Sequence, residues 1–261
     1  MKPKIGFIGT TRENIINELH FAIQYGFDFY EIQGLAKNFD LEPNYIKEIK
    51  ELCEENNISL NLHIPYFLPI SSVIPEVAGG ALKFAKKEIT LAKKVGAKII
   101  TIHSGSEEAP ERKLFKLKNF EVLIQNLREI TEFGKGLGIK IGLENSWKSP
   151  ALCRKPGDML SIVNSVKGLG IVFDVGHTNA AGYNPSKYFK KVKKFIINMH
   201  IHDNNGKNDQ HNLIGKGNIN FKTLFKECKE SNYYGPFILE LFPLKNNLKG
   251  KERVLNFWGQ I

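Results

Sequence analysis

The stretch Gly96-Ala97-Lys98-Ile99-Ile100-Thr101-Ile102-His103-Ser104-Gly105 carries the reading of the whole chain. Before it, Ala81 to Val95 places apolar residues at i, i+3, i+4 spacing, the pattern of an amphipathic helix. Gly96 follows, where a helix C-terminus favours a residue without a Cβ. Lys98–His103 is then a short apolar run rich in β-branched residues, which suits a buried strand of a parallel sheet. The run ends on a histidine.

The same unit recurs on both sides. Eight strand-like runs are read at Lys4–Gly9, Phe27–Gln33, Ser59–Ile64, Lys98–His103, Lys140–Asn145, Gly170–Asp174, Phe195–His202 and Pro236–Leu241. Helical periodicity covers Asn14 to Tyr25, Tyr45 to Asn56 and Phe120 to Leu137, with Gly26 and Gly138 as further C-caps. Strands alternating with helices argue for parallel pairing. Eight βα units in 261 residues imply one (β/α)8 TIM barrel, a single α/β domain over residues 1–261. A doubly wound open sheet is the runner-up, but its GxGxxG turn is absent: the first turn reads Gly6-Phe7-Ile8-Gly9-Thr10-Thr11.

Composition narrows the classes. Apolar residues make up 42% of the chain and no run approaches the ~20 residues of a membrane span. The N-terminus has no signal-like apolar region, so a cytoplasmic protein is expected. Cys53, Cys153 and Cys228 form no CxxC pair, which excludes a thiolate zinc site of that kind and gives no disulfide framework. A net charge of +10 favours an anionic partner, nucleic acid or a phosphorylated substrate, although the lysines are spread along the whole chain.

Polar residues sit where a barrel keeps its chemistry, at the C-terminal ends of strands. The ends read Leu62-His63-Ile64-Pro65-Tyr66, Ile102-His103, Leu143-Glu144-Asn145, Phe173-Asp174-Val175-Gly176-His177, Met199-His200-Ile201-His202-Asp203 and Leu239-Glu240. Apolar neighbours imply burial, and an unpaired buried carboxylate or imidazole is costly. Asp209-Gln210-His211 adds a DxH pair, whereas His20 lies mid-helix. His63, His103, Glu144, Asp174, His177, His200, Asp209, His211 and Glu240 are therefore the candidate metal ligands. Their donor chemistry suits Zn2+, Mn2+ or another divalent ion. One ion takes about three or four protein ligands, so nine residues suffice for two or three ions if a carboxylate bridges.

These motifs resemble the endonuclease IV family of zinc-dependent abasic-site endonucleases, within the xylose isomerase-like barrel superfamily. Asp174-Val175-Gly176-His177-Thr178-Asn179-Ala180-Ala181-Gly182-Tyr183 is similar to its DxxHxxAAGY signature. His200-Ile201-His202-Asp203 with Asp209-Gln210-His211 and Gly215-Lys216-Gly217 is similar to its HxND…DxH…GxG pattern. The resemblance implies three zinc ions. His63, His103 and Glu144 would hold one, Glu144 would bridge to a second on Asp174, His200 and Glu240, and His177, Asp209 and His211 would hold the third. It implies hydrolysis of the DNA backbone 5′ of an abasic site, with damaged double-stranded DNA as partner. Tyr66 is a candidate for stacking at the site, and a barrel-rim packing role stands beside it. His202, in place of the family's Asn, is the second substrate-contact candidate.

Two departures keep a second function open. After strand two the family carries a basic, aromatic recognition loop, but Gln33-Gly34-Leu35-Ala36-Lys37-Asn38-Phe39 has no Arg, and Tyr30-Glu31-Ile32 looks more like sugar isomerases. The alternative is a mononuclear metal-dependent isomerase or epimerase acting on a sugar or sugar phosphate. Glu144, Asp174, His200 and Glu240 would hold its ion. Glu144 and Glu240, the catalytic candidates, would exchange a proton with the substrate carbon, and His63 and His177 would touch substrate. A non-enzymatic binding module is the third reading. A monomer is expected in each case.

Overall fold

The computed structural model of the protein describes residues 1–34, 40–106 and 113–261. Eight parallel strands, β1 (Ile5–Ile8), β2 (Phe29–Ile32), β3 (Ser59–His63), β4 (Ile99–Ile102), β5 (Lys140–Glu144), β6 (Gly170–Asp174), β7 (Ile196–Ile201) and β8 (Phe237–Leu239), pair in chain order. β8 returns to β1, with Gly6 opposite Ile238, and closes the barrel. The TIM barrel expected from the sequence is the fold. Most strands are a residue or two shorter at their ends than the apolar runs suggest, and Phe195 belongs to a 3-10 turn (Lys193–Phe195) before β7.

Nine α-helices are present among the described residues: α1 (Ile15–Gln24), α2 (Pro43–Glu55), α3 (Pro75–Val95), α4 (Lys113–Gly136), α5 (Pro156–Ser165), α6 (Val175–Ala180), α7 (Pro185–Val192), α8 (Phe221–Glu230) and α9 (Asn246–Gly259). Periodicity alone starts α3 at Ala81 and α4 at Phe120, several residues late. Proline opens α2, α3, α5 and α7, at a position where its missing N–H costs nothing. That signal extends α3 back through Gly79 and Gly80, where a side chain would meet only open space. None of these helices is long and apolar enough to cross a membrane.

Two layers, one apolar and one largely polar, follow from the period-two alternation of strands. Residues such as Leu60, Leu62, Ile100, Ile102 and Phe173 are buried in the layer between sheet and helices. The opposite parity faces the barrel axis: Asn61 and His63 on β3, Thr101 on β4, Gly142 and Glu144 on β5, Asn198 and His200 on β7. Contacts across the lumen fix this assignment, since Glu31 of β2 reaches Asn198 and His200 of β7. Lower down, a register shift between Ile171 and Val172 turns Ile197 inward, and Gly142 and Gly170 leave the space it fills.

One buried ion pair braces the mouth. Arg12, in the turn after β1, bonds the carboxylate of Glu88 on α3, and both side chains are fully buried. The same guanidinium donates to the Gln33 carbonyl, at 3.3 Å, where the chain leaves β2. Leaving one partner of such a pair alone costs about 3–5 kcal/mol, whereas an apolar replacement of both is near neutral. Arg12→Met should therefore lower unfolding stability by about that amount, and adding Glu88→Leu should restore most of it. Urea unfolding of the two variants checks this; equal loss in both would show that the charges themselves are not the issue.

Candidate metal centre

Local structure explains the spacing of the motifs. Asp174 ends β6 and is the N-cap of α6: its Oδ1 accepts from the backbone N–H of His177. An N-cap carboxylate bonded to the third helical residue is the ordinary start of a helix. Here it also sets the His177 ring beside the carboxylate, which is why D-x-x-H recurs as a unit. Asn145, after β5, sews the two strands together by accepting from Asp174 N at 2.9 Å and donating to Asp174 O at 3.0 Å. Asp203, just beyond β7, shapes the loop that carries Asp209 and His211. Its carboxylate accepts from the N–H groups of Asn204, Gly217 and Ile219, and its backbone pairs with Asn212. A Cβ on Gly217 would lie 2.1 Å from the Asn204 carbonyl, so the second glycine of Gly215-Lys216-Gly217 is required by close packing.

Four imidazoles are pinned by one nitrogen and offer the other. Nδ1–H donates to a backbone carbonyl in His63 (Ile64, 2.8 Å), His177 (Asn145, 2.9 Å) and His211 (Glu240, 3.0 Å). His200 is reversed, with Nε2–H donating to Glu31 Oε1 at 3.0 Å. Such remote hydrogen bonds fix tautomer and ring direction in metal-binding histidines. The free nitrogens converge on carboxylates. His200 Nδ1 is 3.0 Å from Glu144 Oε1 and 2.9 Å from Glu240 Oε1. His63 and His103 approach Glu144 Oε2 at 3.3 and 2.8 Å. His177 and His211 flank Asp209 Oδ2 at 3.2 and 3.1 Å.

Ligand atoms of His63, Glu144, His200 and Glu240 all lie within 4.8 Å of one another, as do those of Asp174, His177 and His202. Glu144 Oε2, Asp174 Oδ2 and Asp209 Oδ1 are buried without a hydrogen-bond donor. Buried polar atoms are normally satisfied. Orphaned oxygens facing bare imidazole nitrogens fit divalent-ion ligation, so the donor set and its geometry suit a metal.

The charges of the metal-free cluster hold one another. Burial alone would favour neutral rings, but Asp174 and Asp209 raise His177, Glu31, Glu240 and Glu144 raise His200, and Glu144 raises His63. His211 is lifted to about 9 against its burial, mainly by Asp209 and Glu240. Burial would likewise raise the acids, yet His103 and His200 hold Glu144 well below the usual carboxylate range. Glu240 falls to about 2 beside His200, and His177 and His211 lower Asp209.

All nine expected ligand residues gather at the mouth, but their grouping differs from the expected one. Asp174 is directed to His177 and His202, not to Glu144, His200 and Glu240. His103 stands beside Glu144 and His63 without joining their four-residue convergence. Of the two substrate-contact candidates, Tyr66 is 62% exposed and lines the cavity of about 800 Å³ above the centre. His202 is fully buried behind it and is not among the lining residues. Within the expected recognition loop, Leu35 to Phe39 lie outside the described residues.

Sequence reading noted Glu31 only as a likeness and gave it no place in the site. It lies under the centre and accepts from Thr101, Asn61, Asn198 and His200. A carboxylate inside an apolar strand is the signal that marks it. Phe67, Trp147 and Phe242 at the rim were missed as well, since nothing in a loop sequence says which way it folds over the barrel.

The family described as xylose isomerase-like TIM barrel matches residues 19–258 of this chain. An uncharacterized protein of Methanocaldococcus jannaschii is 33% identical over 250 residues, covering 92% of this chain and 83% of its own length. A Mesoplasma florum protein named probable endonuclease 4 is 28% identical over 238 residues, covering 81% of this chain and 78% of its own. Among solved structures, a D-tagatose 3-epimerase-like protein superposes with a TM-score of 0.87 at 28% identity, over 98% of this chain and 97% of that one.

A pH prediction follows from the ion pairs. The histidine contribution to stability of the metal-free protein is complete below about pH 6.5, the free-imidazole value. It is lost as pH rises through the folded values, about 9 for His211. The carboxylate contribution is complete above about pH 4.5 and is lost as pH falls through the folded values, about 2 for Glu240. Chelated protein should therefore be most stable between about pH 4.5 and 6.5 and weaken toward pH 9. Metal ligation needs bare nitrogens, so the stabilisation added by zinc should grow over that alkaline range. Thermal melts with zinc and with chelator from pH 5 to 9 test it; curves that stay parallel would contradict it.

Proposed function

This chain belongs to the xylose isomerase-like TIM barrel family, and on that premise we propose that it is a metal-dependent isomerase or epimerase of a small keto sugar or sugar phosphate. The observation that carries the reading is the pair Glu144 and Glu240, brought from the ends of β5 and β8 to either carboxylate contact of His200 Nδ1, at 3.0 and 2.9 Å. The mouth above them suits a polyhydroxylated molecule. Ser71, Ser72, Ser106 and Ser146 offer hydroxyls, and Tyr66, Phe67, Trp147 and Phe242 offer apolar faces to sugar C–H groups. Lys148 is the one Lys or Arg among the described residues lining it. Proteins that grip nucleic acid rely on many such cations.

Glu144, His200, Glu240 and His63 would hold the ion. When bound, a divalent ion there supplies Lewis-acid polarisation of substrate oxygens. One glutamate takes the proton from the hydroxyl-bearing carbon next to the carbonyl. The C–H bond breaks and its electron pair is held toward the carbonyl oxygen. The other glutamate returns a proton to the opposite face of the same carbon, giving the epimer, or to the neighbouring carbon, giving the isomer as the hydroxyl proton passes from the first carbon's oxygen to the former carbonyl oxygen. Each turnover moves one proton on and one off, so the carboxyls regain their starting states through solvent. Lys148, which lines the cavity, would meet a substrate phosphate. The three buried free cysteines accord with the reducing cytoplasm, where we place the protein.

Phosphodiester cleavage beside an abasic site is the second reading. It is favoured by the His177–Asp209–His211 arc, which a single-ion sugar enzyme does not need. The probable endonuclease 4 relative supports it as well.

Metal-loaded protein incubated with a panel of ketoses and their phosphates in D2O should place deuterium on the carbon next to the carbonyl, read by NMR. Glu144→Gln and Glu240→Gln should each slow that exchange by about 10²–10⁴-fold. No exchange with any of the panel would overturn the proposal, and nicking of an abasic duplex by the same sample would put the second reading in its place.

A further inference from the structure

The strand starts form the end of the barrel opposite the metal centre, and four neighbouring connections there carry one sign of charge. The stretches 92–99, 133–140, 163–170 and 190–196 lead into β4, β5, β6 and β7. Together they hold ten lysines and neither Asp nor Glu. The connections into β2 and β3 instead carry Asp28, Glu54 and Glu55, so the lysines are gathered on one half of this end.

Helix chemistry explains part of the arc. Lys93 and Lys94 lie in the last turn of α3, Lys135 in that of α4, and Lys190 and Lys191 in that of α7. A cation there complements the carbonyl end of the helix, and the effect falls off within that turn. It leaves Lys98, Lys140 and Lys167 without such a role. Lys140 opens β5, and its N–H donates to the Lys98 carbonyl at 3.0 Å. Gly142 pairs with Gly170, which sets Lys167, three residues before Gly170, next round the ring. Neighbouring strands lie about 4.8 Å apart, so three ammonium groups on flexible stems share one arc. All three residues are exposed, and none has a carboxylate in ion-pair reach among the described residues. Lys135 and Lys190, by contrast, face Glu132 at 3.9 Å and Glu227 at 2.8 Å. Like charges gathered without counter-charges repel and cost stability, so a ligand that neutralises them relieves a standing strain.

We propose that this arc is a docking surface for the phosphate backbone of a nucleic-acid duplex, held without reading its sequence. Lysines clustered on one face are the electrostatic footprint of such a partner. The apolar content of the face selects among anionic partners. No exposed large apolar side chain lies in the four connections. A helix or segment that lies on a membrane sinks apolar side chains beside its cations, protein interfaces are depleted in Lys and enriched in aromatics, and single-strand sites offer aromatic rings to the bases. A duplex presents phosphates alone at its surface and needs none of these. The turns are low enough for it: Gly96, Gly138 and Gly168 have φ of 86°, 75° and 90°, and no side chain stands on any of them. The surface lies at the opposite end of the strands from Glu144 and Glu240, so it rests on neither reading of the reaction.

Binding of a labelled, undamaged DNA duplex to the full-length protein is followed by fluorescence anisotropy from about 50 to about 200 mM salt. The triple variant Lys98→Gln, Lys140→Gln, Lys167→Gln should weaken binding by about tenfold or more and lower the slope of log K against log salt by about three, one per lysine. A second triple variant, Lys47→Gln, Lys118→Gln, Lys226→Gln, changes the net charge equally on α2, α4 and α8 and should bind within about twofold of wild type. Thermal melts confirm that both variants fold. No duplex binding by wild type, or equal loss in both variants, would overturn the proposal. So would tighter binding to phosphatidylserine vesicles than to the duplex, lost in the first variant, which would give the surface to a membrane.

Discussion

Everything at the barrel mouth depends on one buried imidazole, His200. Its Nε2 is spent on Glu31 across the lumen, so its Nδ1 is left for Glu144 and Glu240. Glu31 is in turn fixed by Thr101, Asn61 and Asn198 from three other strands. Removing charge from water inside a barrel is affordable only with such complete pairing. The polar floor therefore does what an apolar layer does in the lower barrel: it defines which way each side chain points. Because every partner comes from a strand, the carboxylates above are held by the stiffest part of the fold.

The second half of the centre is built differently. Asp174 and His177 owe their juxtaposition to a helix cap, and Asp209 and His211 ride on a loop whose shape is set by Asp203 and Gly217. A strand-borne group and a loop-borne group thus face each other across Glu144. Loops tolerate changes in length and sequence that strands do not. In this chain a histidine stands at position 202, where the resemblance to the endonuclease IV family has asparagine, and Gly176 leaves the space for its ring.

A D-tagatose 3-epimerase-like structure matches nearly the full chain. Above the centre the described cavity is lined by hydroxyls and aromatic faces, with Lys148 for a cation. Fold likeness alone leaves chemistry open within such a barrel. The two glutamates and their shared imidazole suit proton transfer, whereas the His177–Asp209–His211 arc suits phosphodiester chemistry.

The sequence by itself determined the barrel and the membership of the site. Alternating strand and helix periods, glycine caps and histidines or acids at six strand ends are local signals, and local signals survive in a linear text. The D-x-x-H unit is legible for the same reason, since a helix cap spans three residues. Tertiary structure alone decided the grouping. Glu31 and Asn198 are partners 167 residues apart, and closure of the barrel is what sets them opposite each other. Asp174 gathers with His177 and His202, and His202 follows β7, a strand that only the folded barrel sets beside β6. His202 reads in sequence as a substrate contact; its place behind the cavity comes from Gly176 and His211 closing on both faces of the ring.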